Sequence, residues 1–430
     1  MSCYLIFSLL ISLAISFPLR NLNKSEGIIS INFYVATKNE LLISPIEIGT
    51  PAQQMNLILD IGSERTWISE EVFNKTFSSS FQTNGYTDKK LQDSFSYRGI
   101  WSTDNIQLSD KKLKSFDFLL VDKIESNDLF KGVISLGREY DTKQFSLVYR
   151  MSASSATFYN SFVLRFSDVG NKGELYIGDL TNELKDYKNL ISSCKLINKP
   201  PRIKWGCMLS HVFIGEYGDK TFTNSYTQEQ GFIISGKNKF IQNIDKPAFF
   251  ESIYNKIYVT KEFMIFLKKD VFINKSKGIE LCNYNDDISR ISFTCSKKEL
   301  NQIPKVNFVF SEKLALTLPI EKLFDCNGDT CEYLIEYNEQ HSSNWIMGLP
   351  LLKTYQMIFD YNKEDLLFYS KDNKAYVQMP NNNGTSIAKF FFYLIVFVGL
   401  ALVIGVGFIY FLRRKNKRRK LIEEQIYENF

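Results

Sequence analysis

Leu57-Ile58-Leu59-Asp60-Ile61-Gly62-Ser63 runs an apolar strand straight into a carboxylate and then into a glycine turn. An Asp-x-Gly on its own is common; its surroundings here are not. Ile46-Glu47-Ile48-Gly49-Thr50-Pro51-Ala52-Gln53-Gln54 precedes it, and Thr66-Trp67-Ile68 follows. Outward from this stretch, short runs at 55–59, 116–121, 162–166, 173–177 and 306–310 are rich in Val, Ile, Phe and Tyr. Gly, Asn, Asp and Lys clusters separate them, which predicts an all-β architecture with many tight turns. The pattern has a distant echo: a second apolar run enters a glycine turn at 232–236, as the first does at 57–62.

The 430 residues suffice for two lobes, each with a core of its own. Apolar residues make up 44% and charged residues 23%, the balance of a globular chain rather than a disordered one. The net charge of +5 is concentrated in Arg413, Arg414, Lys415, Lys417, Arg418, Arg419 and Lys420. The rest is close to neutral, so nothing indicates nucleic acid as a partner.

Two apolar segments set the expected compartment. Residues 4–15, followed by Ser16, are too short to span a bilayer and read as a secretory signal occupying 1–16. Residues 390–412 contain no charge, and as a helix would extend about 34 Å, enough to cross. The basic cluster after them predicts a cytoplasmic tail at 413–430 and everything earlier on the luminal side, a single-pass type I arrangement. The polar, Asn-rich stretch 372–389 reads as a stalk. Beyond the signal six cysteines remain, Cys194, Cys207, Cys282, Cys295, Cys326 and Cys331, which predicts three disulfides in an oxidising lumen. Proximity favours Cys194 with Cys207. The other four allow three connectivities, of which one joining Cys295 to Cys326 or Cys331 is preferred. Asn23, Asn74, Asn274 and Asn383 open glycosylation sequons. No spacing suggests a metal site, and no cofactor is expected.

The motif at 46–68 resembles the amino-terminal active-site region of the pepsin-like aspartic protease family, where IGTPxQ, an apolar strand, D-T-G-S and a Trp follow in that order. The resemblance covers roughly 33–370. It takes in Tyr97 as the flap tyrosine, Asp128-Leu129-Phe130-Lys131-Gly132-Val133-Ile134, Gly173-Glu174-Leu175-Tyr176-Ile177-Gly178 and Asn344-Trp345-Ile346-Met347-Gly348. It implies a bilobal fold, with lobes at 17–190 and 191–371 and a crossing near Pro200-Pro201. It also implies a groove lined by Gly62, Ser63, Trp67, Tyr97, Ser235 and Gly236. The family's chemistry uses two aspartates sharing one proton, one as general base toward water and one as acid toward the carbonyl.

Here Asp60 supplies the first, and the resemblance sets the second site at Gln230-Gly231-Phe232-Ile233-Ile234-Ser235-Gly236, with Ile234 in the aspartate's place. Asp329 lacks an apolar run before it, and no other carboxylate of the second lobe precedes Ser/Thr-Gly. Four further departures accompany this. Ile61 replaces the threonine that ties the two loops, leaving Ser235 to donate from its side. The stretch 97–104 is shorter than the usual flap, Ser135 stands where glycine is usual, and the residues between Ser16 and Asp60 leave no room for a long pro-segment. The expectation is a catalytically inactive, membrane-anchored homologue that binds a peptide or protein in its cleft, with Asp60 as a residual acid. The alternatives are an active aspartic endopeptidase using Asp60 with an atypical or dimer-supplied partner, and a structural or adhesive surface glycoprotein. Tyr427-Glu428-Asn429-Phe430 resembles a Y-x-x-Φ sorting signal for clathrin adaptors, consistent with the secretory and endolysosomal system or the cell surface.

Overall fold

The computed structural model describes residues 28–36, 41–63, 65–92, 95–108, 111–125, 131–138, 146–154, 160–167, 171–180, 190–197, 204–215, 232–234, 240–274, 278–311, 314–369 and 409–415. Compact units divide at Met379/Pro380. In the first unit, strands dominate and gather into sheets of thirteen and twelve strands among the described residues. All five apolar runs picked out in the sequence lie within strands, at Gln53–Asp60, Lys111–Glu125, Ser161–Phe166, Lys172–Ile177 and Val306–Ser311.

The alternation that makes these strands is plain in Ile29–Ala36, where Ile29, Ile31, Phe33 and Val35 turn inward. That strand pairs antiparallel with Lys172–Ile177 on one side and Leu41–Ile48 on the other. Gln53–Asp60 begins half exposed, then becomes buried on both faces from Leu57 onward as it enters the middle of the sheet. A strand buried on both faces suits a continuous apolar run ending in parallel pairing. Gln53–Asp60 does pair parallel with Gly132–Ser135, Leu59 opposite Ile134 and Asp60 opposite Ser135. Trp67–Ser69 then lies antiparallel to Gly132–Ser135 and parallel to Lys111–Glu125.

The second sheet repeats this arrangement with different residues. Phe240–Phe250 pairs parallel with Trp345–Met347, Phe249 opposite Ile346 and Phe250 opposite Met347. Ile257–Tyr258 lies antiparallel to Trp345–Met347 and parallel to Ile335–Asn338. Gln53–Asp60 and Phe240–Phe250 therefore hold the same place in their own lobes. Gly348, directly after the strand Trp345–Met347, is a required glycine: a Cβ there would run into the Tyr254 and Lys256 carbonyl oxygens.

The chain's return joins the lobes. Gln356–Asp360 pairs with Ser161–Phe166 of the first lobe, and Asp365–Tyr369 pairs with Leu190–Lys195, so the first sheet is completed by strands from the far end of the chain. Trp205, with none of its surface exposed, is the pivot of this seam. Its ring meets Phe162, Phe359 and Tyr361 edge-on at 5.6, 5.1 and 4.7 Å, and its Nε1 donates to the Leu136 carbonyl at 3.0 Å.

Three disulfides form, Cys194–Cys207, Cys282–Cys295 and Cys326–Cys331. The first agrees with the sequence expectation. The second and third correct the preference for joining Cys295 to Cys326 or Cys331. Cys282, Cys295, Cys331 and Cys326 lie opposite one another across four neighbouring antiparallel strands. In such a ladder, close and wide pairs alternate. Cys282–Cys295 and Cys326–Cys331 occupy close pairs, with Cα atoms 4.2 and 4.0 Å apart, which leaves Cys295 and Cys331 at the wide one.

In the second unit, 409–415 is helical, with Ile409, Tyr410, Phe411 and Leu412 exposed. No helix among the described residues is long and apolar enough to cross a membrane. The signal at 1–16, the stalk and most of the expected span at 390–412 lie outside the described residues, as do Asn23, Asn383, Tyr427 and Phe430.

Candidate active site

Asp60 ends its strand with 1% of its surface exposed. The turn that follows holds it: the Gly62 N–H donates to its Oδ1 at 2.8 Å, and its own carbonyl accepts from the Leu136 N–H at 2.8 Å. Burial pushes its carboxyl from the ordinary 3.8 up to about 7. The Gly62 N–H bond opposes that rise, Glu251 reinforces it, and Lys204 and Ser252 pull it down. Ser63 is equally enclosed: its hydroxyl donates to the Arg65 carbonyl at 3.2 Å, and its carbonyl accepts from Ser135 Oγ at 2.6 Å. Ser135, in the position where the resemblance implies glycine, thus uses its hydroxyl to pin the Asp60 turn. Its N–H also donates to Thr66 Oγ1 at 3.0 Å.

The residues that come to Asp60 from the second lobe are Glu251 and Ser252, directly after Phe250. The Ser252 hydroxyl accepts from the Ile61 N–H at 3.0 Å and donates to the Leu59 carbonyl at 3.0 Å, with Asp60 Oδ1 a longer acceptor at 3.4 Å. One hydroxyl from the second lobe therefore grips the first lobe's turn on both sides of Asp60. Ile61 has no hydroxyl to return the contact, and its side chain is buried in the apolar core instead. Glu251, 2% exposed, packs over the neighbouring glycine. A Cβ placed on Gly62 would lie 3.0 Å from Glu251 Cγ and 3.2 Å from its Oε2. Its Oε1 accepts from Lys204 Nζ at 2.7 Å. Ile253, two residues on, packs against the cluster of Ile58, Trp67, Trp101, Leu119, Val121 and Val133 in the first lobe.

This corrects the assignment of the second carboxylate's place to Ile234. Phe232–Ile234 forms a short hairpin with the beginning of Phe240–Phe250, Ile234 opposite Phe240. The place equivalent to Asp60 comes at the far end of Phe240–Phe250, because that strand carries the parallel pairing with Trp345–Met347. The loop tie expected from Ser235 is made by Ser252; Ser235 and Gly236 themselves lie outside the described residues.

The remaining groove residues divide. Gly62 and Ser63 are at the site. Trp67 is fully buried in the first-lobe cluster and lines no groove. Tyr97 lies near the tip of a long hairpin formed by Gln82–Gln92 and Phe95–Leu108, its backbone opposite Lys90. Its side chain lies outside the described residues. Asn74 is exposed at the start of a single helical turn, Lys75–Phe77, where its Oδ1 accepts from the Thr76 N–H and hydroxyl. Asn274 ends the short strand Ile273–Asn274. Among the described residues, no three His, Cys, Asp or Glu side chains gather as a metal site requires.

Two interlocked turns, each an apolar strand ending in a buried carboxyl, agree with the comparison to known families. The model for eukaryotic aspartyl proteases matches residues 42–370. The chain belongs to that family. Vacuolar protease A of the fungus Arthroderma otae is 30% identical over 121 residues, which are 24% of this chain and 30% of that protein. The matched segment is thus under a third of that relative's length. Among solved structures, the aspartic proteinase from Irpex lacteus superposes with a TM-score of 0.61 at 12% identity, over 80% of this chain and 97% of its own. At that identity the likeness is one of fold, and this aspartyl protease homologue shares its bilobal, mostly β architecture.

Glu251, Ser252 and Lys204 are the site residues that the sequence reading missed. Ala248-Phe249-Phe250-Glu251-Ser252 repeats the pattern of Leu57-Ile58-Leu59-Asp60-Ile61, an apolar run delivering an acid. A search restricted to acids before Ser/Thr-Gly passes over it, because Ile253 stands where Gly62 stands in the first lobe.

Proposed function

We propose that this homologue is an aspartic-type endopeptidase whose two carboxyls are unlike, Asp60 from the first lobe and Glu251 from the second. The observation that carries this is the clamp of Ser252 on both sides of Asp60, which brings Glu251 against the Asp60 turn. With one proton between them, Asp60 as acid hydrogen-bonds the scissile carbonyl and Glu251 as base draws a proton from the attacking water. The expectation of inactivity rested first on Ile234, with Ile61, Ser135, the stretch 97–104 and the absent pro-segment beside it, and Ile234 pairs with Phe240 at the opposite end of the strand from Glu251. Glu251 reaches one methylene further than an aspartate would, which favours a water held over Gly62 rather than midway between two short acids.

The test is cleavage of unfolded globin from pH 3 to 8, with and without pepstatin, by wild type, Asp60→Asn and Glu251→Gln. Turnover that both substitutions reduce by at least about a hundredfold supports the pair, since groups acting as a unit fail together. A wild type without turnover, or turnover indifferent to Glu251→Gln, excludes it.

A second reading, peptide capture without hydrolysis, is favoured by one feature: Ile61 gives the first lobe no hydroxyl with which to return the Ser252 contact. Pepstatin binding without turnover would select it.

The same reading extends to placement in the cell. Residues 1–16 direct the chain into the secretory system, 390–412 anchor it, and 413–430 face the cytoplasm, where Tyr427 and Phe430 offer a clathrin-adaptor signal. The apolar, uncharged run followed by seven cations supports this, as do the three disulfides. Glycans at the sequons of the luminal part belong to the same proposal.

A further inference from the structure

We propose that Lys204 is a positioning residue of this site, an internal counter-ion that keeps Glu251 ionised and thereby assigns the shared proton to Asp60. The inference rests on the pair proposed above, but its geometry can be tested separately. Lys204 Nζ lies 2.7 Å from Glu251 Oε1, and the glutamate side chain is 2% exposed against 25% for the lysine. The lysine is delivered by a rigid mount. Trp205 beside it is wedged between Phe162, Phe359 and Tyr361, and its carbonyl accepts from the Phe250 N–H at 2.8 Å, one residue before Glu251. The ammonium also stands 6.0 Å from the Phe249 ring. The backbones that carry the cation and the acid are thus hydrogen-bonded to each other.

Two carboxyls without such a neighbour can hold their proton on either side, and the roles of acid and base interchange. A cation in contact with one of them removes that symmetry, because an adjacent opposite charge favours the ionised form by about 1 to 3 pH units. Among the described residues, the charged groups whose fields reach Asp60 are Glu251 and Lys204, the first raising and the second lowering its affinity for a proton. With the positive charge seated on Glu251, Asp60 remains the group that carries hydrogen. The consequence for the reaction is a fixed direction: Asp60 always faces the carbonyl and Glu251 always faces the water.

The experiment follows both carboxyls by carbon NMR in the full chain, with Asp and Glu labelled at the carboxyl carbon and resonances assigned through Asp60→Asn and Glu251→Gln. In the wild type, Glu251 is expected to take up its proton at a lower pH than Asp60; the opposite order overturns the proposal without any lysine variant. Lys204→Met is expected to raise the Glu251 midpoint by about one pH unit or more and, because the base must be ionised to act, to move the acid limb of activity upward with it. Lys204→Arg should restore the wild-type values. Unchanged Glu251 titration in Lys204→Met, in protein whose circular dichroism matches wild type, also overturns it. If the titration order holds but no globin is cut, the peptidase reading fails and the assignment of Lys204 stands. If globin is cut while Glu251 protonates first, the reverse is true.

Discussion

Asp60 shows what a buried acid demands of its neighbours. Its carboxyl, 1% exposed, accepts a hydrogen bond from the Gly62 N–H, and burial still outweighs that bond, leaving it protonated up to about pH 7. Because the folded-state value lies above the ordinary 3.8, the stabilisation tied to its proton is complete below about pH 4 and is lost as pH rises through about 7. Wild type should therefore lose on the order of 3 to 4 kcal/mol between those limits that Asp60→Asn does not lose. Urea unfolding at pH 4, 5.5 and 7.5 measures the difference; parallel curves for the two proteins would contradict the burial account. Ser252 works on the neighbouring backbone. Its hydroxyl satisfies a buried N–H and a buried carbonyl, groups that cost about 1 to 3 kcal/mol each when left unpaired.

At the level of elements, the four cysteines in one row give a separate prediction. Removing the outer two, with Cys282→Ser and Cys326→Ser, leaves Cys295 and Cys331 directly opposite each other on neighbouring strands. A Cα separation near the wide-pair value of about 5.5 Å is within the reach of a disulfide. Mass spectrometry of non-reduced peptides should find Cys295 bonded to Cys331; two free thiols would show that the register there is wrong. The first lobe was legible because Leu57-Ile58-Leu59 stops at an Asp-x-Gly flanked by Gly49-Thr50-Pro51 and Trp67, a combination that few other folds produce. The second-lobe site was not legible by the same rule. Glu251 exchanges the acid and Ile253 exchanges the glycine, so only the parallel pairing of Phe249 and Phe250 with Ile346 and Met347 reveals the equivalence. Trp67 fell short for a different reason. An aromatic after an active-site turn reads the same in sequence whether it lines a groove or fills a core, and here Ile58, Leu119 and Val133 enclose it. Lys204 had no signal at all, since its partner lies 47 positions away along the chain.

Across the whole molecule, the two lobes are built alike but closed differently. Gly348 after Trp345–Met347 leaves no space for a side chain, whereas Ser135 at the end of Gly132–Ser135 has space for a hydroxyl that reaches the Ser63 carbonyl. The seam around Trp205 ties Leu136 of the first lobe to Phe250 of the second, each next in chain to a residue beside one of the two acid turns. The return of Gln356–Asp360 and Asp365–Tyr369 to the first sheet also bears on the order of events during synthesis. A chain leaving the ribosome cannot complete its first lobe until the last residues of its second have emerged; until then Ser161–Phe166 stands as an open edge ready to pair with a stranger. A chain ending at Tyr355 should accordingly aggregate on refolding, and one ending at Met379 should not, as light scattering and limited proteolysis would report. Until residue 369 has emerged, the nascent protein thus carries its earliest sheet unfinished, which makes its birth, more than its mature life, the period of greatest need for a chaperone.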